Sequence, residues 1–177
     1  MITGHAERRI RRRGRARAGA LAALVAACAP PAVQPPATPE ALQRLAAAVR
    51  HDVFDRPATL APLLADRAVL YFFRTGCEHC VADLAAASAI AGARGAPPFI
   101  LISREGASHL RAVLGPGPRP GLVVVSDEDG GIMEGALPTR FVPRAVAVER
   151  GRVRLDRTGS GGGSLRRAVD ALSGSGP

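Results

Sequence analysis

A chain of 177 residues, 47% of them apolar, can build one globular domain with appendages but not several. All 24 basic residues are arginine, and their placement is uneven: residues 1–27 hold seven against one acid, Glu7, for +6, whereas the other 150 residues set 17 against 14 acids for only +3. With no Trp, one Tyr and five Phe there is no aromatic platform for stacking bases, so the overall +9 belongs mainly to one end of the chain and no nucleic-acid partner is expected.

The basic stretch ends at Arg17 and is followed by an apolar run from Ala18 to Ala27, then by Cys28. That order and length are those of a secretory signal, and the run is too short to span a bilayer. Val25-Ala26-Ala27-Cys28 resembles the bacterial lipobox, which implies a lipoprotein-type signal peptide over residues 1–27 and lipidation of Cys28, the point of attachment to a lipid bilayer. Five prolines between Ala29 and Pro39 favour an extended, semi-rigid segment, so residues 28–39 read as a tether and 40–177 as the folded domain.

From Glu40 the pattern becomes globular. Glu40 to Arg50 reads as a helix with Leu42, Leu45 and Val49 on one face and a Thr38-Pro39 start signal, and Leu60 to Leu64 as a weaker helical turn. Ala68 to Phe73 is an unbroken apolar run of strand formers, the pattern of a central strand buried on both faces. It runs through Arg74-Thr75-Gly76 into Cys77-Glu78-His79-Cys80. A helix is expected from Val81 to Ala93, with Val81, Leu84, Ala85, Ser88 and Ala89 at helical spacing. A strand follows at Phe99–Ser103, a helix at Ala107–Leu114 and a strand at Leu122–Ser126. Asp127 to Gly131 is a turn and Ile132 to Leu137 a short helix. Arg144–Glu149 and Arg152–Leu155 form a hairpin around Arg150-Gly151, and Leu165 to Leu172 closes the chain as a helix. Strands alternating with helices and ending in a hairpin predict an α/β sheet of mixed direction.

Cys77 and Cys80 carry the chemistry. A Cys-x-x-Cys pair serves redox exchange or metal binding, and a buried strand, a short loop and cysteines at a helix start form the redox arrangement. At a helix N-terminus, unpaired N–H groups and the macrodipole favour the thiolate of Cys77, and the two-residue spacing lets Cys80 resolve a mixed disulfide. Protonated His79 would lower the thiol pKa of Cys77, and Glu78 would raise it. His51 and His109 read as surface residues, Asp127, Glu128 and Asp129 as a solvated turn, and Gly159 to Gly163 as a linker.

The chain resembles the thioredoxin-like superfamily, especially the membrane-tethered thiol-disulfide oxidoreductases of the TlpA/ResA kind. The resemblance runs from about residue 60 to 172 and rests on Val69 to Cys80, on Phe99 to Ile102 and on Val142-Pro143 followed by the hairpin to Gly151. It implies a thioredoxin-like mixed sheet flanked by helices, with Cys77, Cys80, Glu78 and His79 as catalytic residues. Pro143, as a cis-proline beside the cysteine pair, and Val142 would bind substrate. It further implies protein thiols or disulfides as partners, together with a membrane thiol electron carrier, and a lipid-anchored place on the periplasmic side of the cell envelope. No cofactor and no metal are called for. Gly76 stands where the family commonly has Trp, and Tyr71 where thioredoxins have a buried acid. The competing reading is a non-enzymatic module of the same fold in which Cys77, Cys80 and His79 bind copper or another soft metal. Without a second Cys-x-x-Cys the chain cannot complete a tetrahedral zinc site.

Overall fold

A computed structural model describes residues 33–49, 51–115, 117–159 and 163–174. The expected signal peptide and Cys28 lie outside the described residues. Residues from Gln34 onward make up one compact unit.

Five strands form a single sheet: β1 (Arg67–Phe73), β2 (Phe99–Ser103), β3 (Leu122–Ser126), β4 (Arg144–Glu149) and β5 (Arg152–Thr158), in the spatial order β3-β2-β1-β4-β5. β1 pairs parallel with β2, and β2 with β3, through the helical connections α3 (Glu78–Ile90) and α4 (Ala107–Leu114). On its other edge β1 pairs antiparallel with β4, which turns back as β5. The mixed α/β sheet expected from the sequence is therefore present. The hairpin turn needs left-handed backbone at both central residues, Arg150 at φ 52° and Gly151 at φ 71°, which suits the twist of the two strands.

The apolar run of β1 is buried because both faces of the sheet are covered. Ala68, Leu70 and Phe72 join one cluster with Leu42 and Leu45 of α1 (Pro39–Ala48), Leu60 and Leu64 of α2 (Leu60–Ala65), and a π-helical turn at Gly131–Ala136. Val69, Tyr71 and Phe73 point the other way, to Cys80, Leu84 and Ala87 of α3, Leu110 of α4, and Leu165, Ala168 and Leu172 of α5 (Ser164–Ser173). α1 begins where the sequence places its start. Thr38 is the N-cap, its hydroxyl accepting from the Ala41 N–H at 3.2 Å, and Pro39 opens the helix. The helix ends at Ala48, because Val49 is already extended.

Three expectations shift. α3 runs Glu78–Ile90 rather than Val81 to Ala93, because Cys77 is its N-cap and the second cysteine already lies in its first turn. The buried face of α3 is Cys80, Asp83, Leu84 and Ala87, one position earlier in phase than the spacing of Val81, Leu84, Ala85 and Ser88 suggested, and Val81 is exposed. Alanines fit either phase, so the pattern alone could not choose. Asp127 is buried rather than solvated: its carboxylate accepts the N–H groups of Ile132 and Met133, each at 2.7 Å, and starts the π-helical turn.

Arg144, the first residue of β4, is fully buried and uses all five of its N–H donors. Nε and Nη2 grip Asp156 at 2.8 and 2.7 Å. Nη1 donates to the carbonyl of Pro138 and the hydroxyl of Thr139 at 2.8 and 3.0 Å, and Nη2 also donates to the carbonyl of Pro35 at 2.9 Å. Gln34 works on the same loop, donating to the Pro138 carbonyl at 2.7 Å and accepting from the N–H groups of Arg140 and Phe141 at 2.9 and 3.2 Å. Removing one member of such a pair leaves a buried charge uncompensated. Arg144→Ala is expected to cost about 3–5 kcal/mol in urea unfolding, whereas the apolar double replacement Arg144→Met with Asp156→Leu recovers most of that loss. A single-variant loss below about 1 kcal/mol would place the pair among weak surface bridges.

Candidate functional site

β1 ends at Phe73, and Arg74-Thr75-Gly76 carries the chain to Cys77. The turn is closed by the Cys77 N–H donating to the Arg74 carbonyl at 3.2 Å. Cys77 is the N-cap of α3 with extended backbone (φ −98°, ψ 110°), and its sulfur accepts the Cys80 N–H at 3.2 Å. The role that Ser or Asp fills at other helix starts is taken here by sulfur, among the unpaired N–H groups and at the positive end of the dipole. Cys77 and Cys80 form a disulfide, with Cα atoms 5.1 Å apart.

The two sulfurs differ in access. Cys80 is 0% exposed and packs in the cluster with Tyr71 and Leu84, whereas Cys77 is only half-buried. Glu78 and His79, the residues between them, are exposed. The Val142–Pro143 peptide bond is cis, as the resemblance implies. The antiparallel register ends with Phe72 paired to Arg144, so Pro143, the residue before Arg144, precedes β4 at the end of β1 that leads to Cys77. Pro143 is buried, and Val142 is half-buried against the core of the α1 face.

Two networks of polar groups adjoin the pair, and the sequence pattern pointed to neither. The first lies inside. The Tyr71 hydroxyl donates to Asp83 Oδ2 at 3.0 Å, and Asp83 Oδ1 accepts the Gly163 N–H at 3.2 Å, at the start of α5. Asp83 is buried and sits one turn beyond Cys80 on the same side of α3. Burial, with the charge and hydrogen bond of Asp83, pushes the Tyr71 phenol far above its ordinary range, so it remains a donor. Tyr71 thus meets a buried carboxylate that enters from α3.

The second lies at the carboxyl ends of β1 and β2. Thr75 donates its N–H to both oxygens of Glu105, at 3.1 and 3.0 Å, and its hydroxyl to Oε1 at 2.6 Å. Ser103 donates to Oε2 at 2.9 Å. Burial works against the charge of Glu105, but the hydrogen bonds from Thr75 and Ser103, with His109 nearby, outweigh it and hold the carboxyl below the usual range. His109 is exposed, as expected, yet its Nε2 lies 3.0 Å from the Thr75 hydroxyl oxygen. His51 is also exposed. No group of three His, Cys, Asp or Glu side chains among the described residues is arranged to hold a metal ion.

No protein-family model matches the chain, and no curated protein matches it. Solved structures do. MTB dsbF, described in its mixed oxidized and reduced forms, superposes with a TM-score of 0.61 at 19% identity over 77% of this chain and 99% of its own. A secreted Mycobacterium tuberculosis disulfide oxidoreductase homologous to E. coli DsbE gives 0.60 at 20% identity, over 74% and 97%. StoA from Bacillus subtilis gives 0.54 at 12% identity, over 70% and 94%. At these identities the likeness is one of architecture: the chain has a thioredoxin-like fold.

Proposed function

We propose that the protein is an extracytoplasmic thiol-disulfide oxidoreductase that exchanges disulfides with protein substrates. The observation that carries this reading is the unequal burial of a bonded cysteine pair: Cys77 half-buried at a helix N-cap, Cys80 fully enclosed. An incoming thiolate reaches only the first sulfur, and the second is kept for the internal step. A structural staple needs no such asymmetry.

In the oxidising direction, a substrate thiolate attacks Cys77 Sγ, the Cys77–Cys80 bond breaks, and Cys80 departs with the electron pair as a thiolate. The second substrate thiol, losing its proton, attacks the substrate sulfur of the mixed disulfide. Cys77 leaves as a thiolate, the substrate holds the new disulfide, and two electrons have passed to the cysteine pair. Reduction runs the same steps backwards. The two cysteine sulfurs hold both electrons as thiols once the S–S bond is broken, so the exchange calls for no cofactor. Helix-terminal N–H groups stabilise Cys77 as the leaving thiolate, and the exposed side chains of His79 and Glu78 tune it in opposite senses. Asp83, buried one turn from Cys80, serves as acceptor for the proton that Cys80 must lose in the reductive direction. Pro143 lacks an N–H, so the start of β4 stays open to a substrate backbone, with Val142 beside it.

Localisation is part of the same proposal. Residues 1–27 act as a lipoprotein-type signal, Cys28 carries lipid, the stretch between Cys28 and the compact unit that begins at Gln34 tethers the domain, and a membrane thiol carrier exchanges electrons with it. In support, one structural neighbour is described as secreted.

Cys80→Ala is expected to accumulate mixed disulfides through Cys77, and Cys77→Ala to be inert; equal exchange by Cys77→Ala and the wild type overturns the assignment. Equilibration of the 77–80 couple with glutathione gives its direction, near about −270 mV for a reductase and about −120 mV for an oxidase. A pair that cannot be titrated, with stoichiometric copper retained on dialysis, would instead favour the binding module. Asp83→Asn should slow reduction of a substrate disulfide by roughly tenfold to a hundredfold while leaving formation of the first mixed disulfide unchanged. Cys28→Ser should move the protein from the membrane fraction to the soluble one, and unchanged partition removes the anchor.

A further inference from the structure

The loop Arg74–Gly76 decides where Cys77 sits, and it has little of its own to hold it. Gly76 is exposed, and a Cβ built there would find nothing within 4 Å. Thr75, in contrast, is tied through both its N–H and its hydroxyl to one side chain thirty residues away, Glu105. That side chain is itself braced. Ser103 donates to its carboxylate at 2.9 Å, and the Ser126 hydroxyl of β3 donates to the Glu105 carbonyl at 2.9 Å, so the rigid ends of β2 and β3 stand behind it.

Proton accounting fixes the direction of each bond. An ionised carboxylate only accepts, so the single hydroxyl proton of Thr75 goes to Glu105. His109 Nε2, 3.0 Å from the same oxygen, must therefore donate, which sets the imidazole as the Nε2–H tautomer or the cation. An acid–Thr–His line with protons flowing toward the acid is the reverse of a hydrolytic triad, where the hydroxyl gives its proton to His. The cluster therefore holds the loop in place and does not activate the hydroxyl.

We propose that Glu105 is a positioning residue for disulfide exchange: by fixing Thr75 against the ends of β2 and β3, it fixes the loop that aims Cys77 and seats its sulfur at the start of α3. This rests on the thiol-disulfide reading of the pair. One side chain that accepts both the N–H and the hydroxyl of Thr75 fixes the loop by geometry, and misplacing a reacting atom is costly in rate. Glu105 touches no reacting atom, and His109 is peripheral to the hold.

The test reduces the oxidised full-length protein with dithiothreitol, whose first thiolate attacks Cys77 and whose second thiol closes the cyclic disulfide as Cys77 and Cys80 become thiols. The rate, the thiolate absorbance of the reduced form against pH, and the thermal midpoint are measured for wild type, Glu105→Ala, Glu105→Gln, Thr75→Val and His109→Ala. Glu105→Ala should slow reduction roughly tenfold and shift the Cys77 titration. Glu105→Gln, which keeps an oxygen for Thr75 but loses the charge, should restore most of the rate. Thr75→Val, retaining only the N–H, should fall between, and His109→Ala should match wild type. If Glu105→Gln behaves like Glu105→Ala, the carboxylate acts through its charge and the positioning role is overturned. The same follows if Glu105→Ala matches wild type, or if rates merely track thermal midpoints across the series. Should Glu105→Ala fail to fold, Thr75→Val against wild type decides, with equal rates overturning the proposal. A wild-type pair that dithiothreitol cannot reduce overturns the oxidoreductase reading and this proposal together, whereas a reducible wild type indifferent to position 105 overturns only the latter.

Discussion

Among the described residues, the cysteine pair and the polar groups around it are hung from the carboxyl end of one strand. β1 is covered on both faces and hydrogen-bonded on both edges, parallel to β2 and antiparallel to β4. A strand fixed on four sides ends at a defined point. From there three residues lead to Cys77, the register with β4 brings Pro143 alongside, and the parallel pairing with β2 brings Ser103 and Glu105 alongside on the other edge. Shifting β1 by one residue would exchange its two sets of inward side chains and dismantle this meeting of loops, which is why so apolar a segment tolerates no slippage.

Much of this was legible because it depends on local pattern. The unbroken run from Ala68 to Phe73 announced a strand buried on both sides, Thr38-Pro39 announced a helix start, and Arg150-Gly151 a tight reversal. Each is a short-range property of the backbone. The phase of α3 was not legible, since alanine at positions 82, 85, 86, 87 and 89 makes most faces equally apolar and only packing beneath α5 and β1 chooses among them. Asp127 misled for a related reason. An acid in a run of acids reads as solvated, but this one lies at the end of β3 and caps the turn that follows.

The site divides along the same line. Cys77 and Cys80 stand out through spacing and position. Asp83, Glu105 and His109 do not, because their partners are 12, 80, 30 and 34 residues away in the chain and no periodicity encodes such meetings. Tyr71 carried a partial signal. A single tyrosine inside a central strand must find an acceptor for its hydroxyl, and a search for a nearby carboxylate on the following helix would have found Asp83. The pair places a buried carboxylate on the helix, facing the strand that carries the tyrosine.

The contacts of Gln34, Pro35 and Ala37 bear on where the domain begins. Pro35 accepts from Arg144, Gln34 satisfies three backbone groups of the loop ahead of Pro143, and the Ala37 N–H donates to Asp156 at 2.7 Å. A recombinant boundary drawn at the first helix would sever all of these while leaving every strand and helix intact. The shortened protein keeps its secondary structure and loses the bracing behind its cis-proline loop, so Gln34 to Ala37 are also one of the walls of the domain.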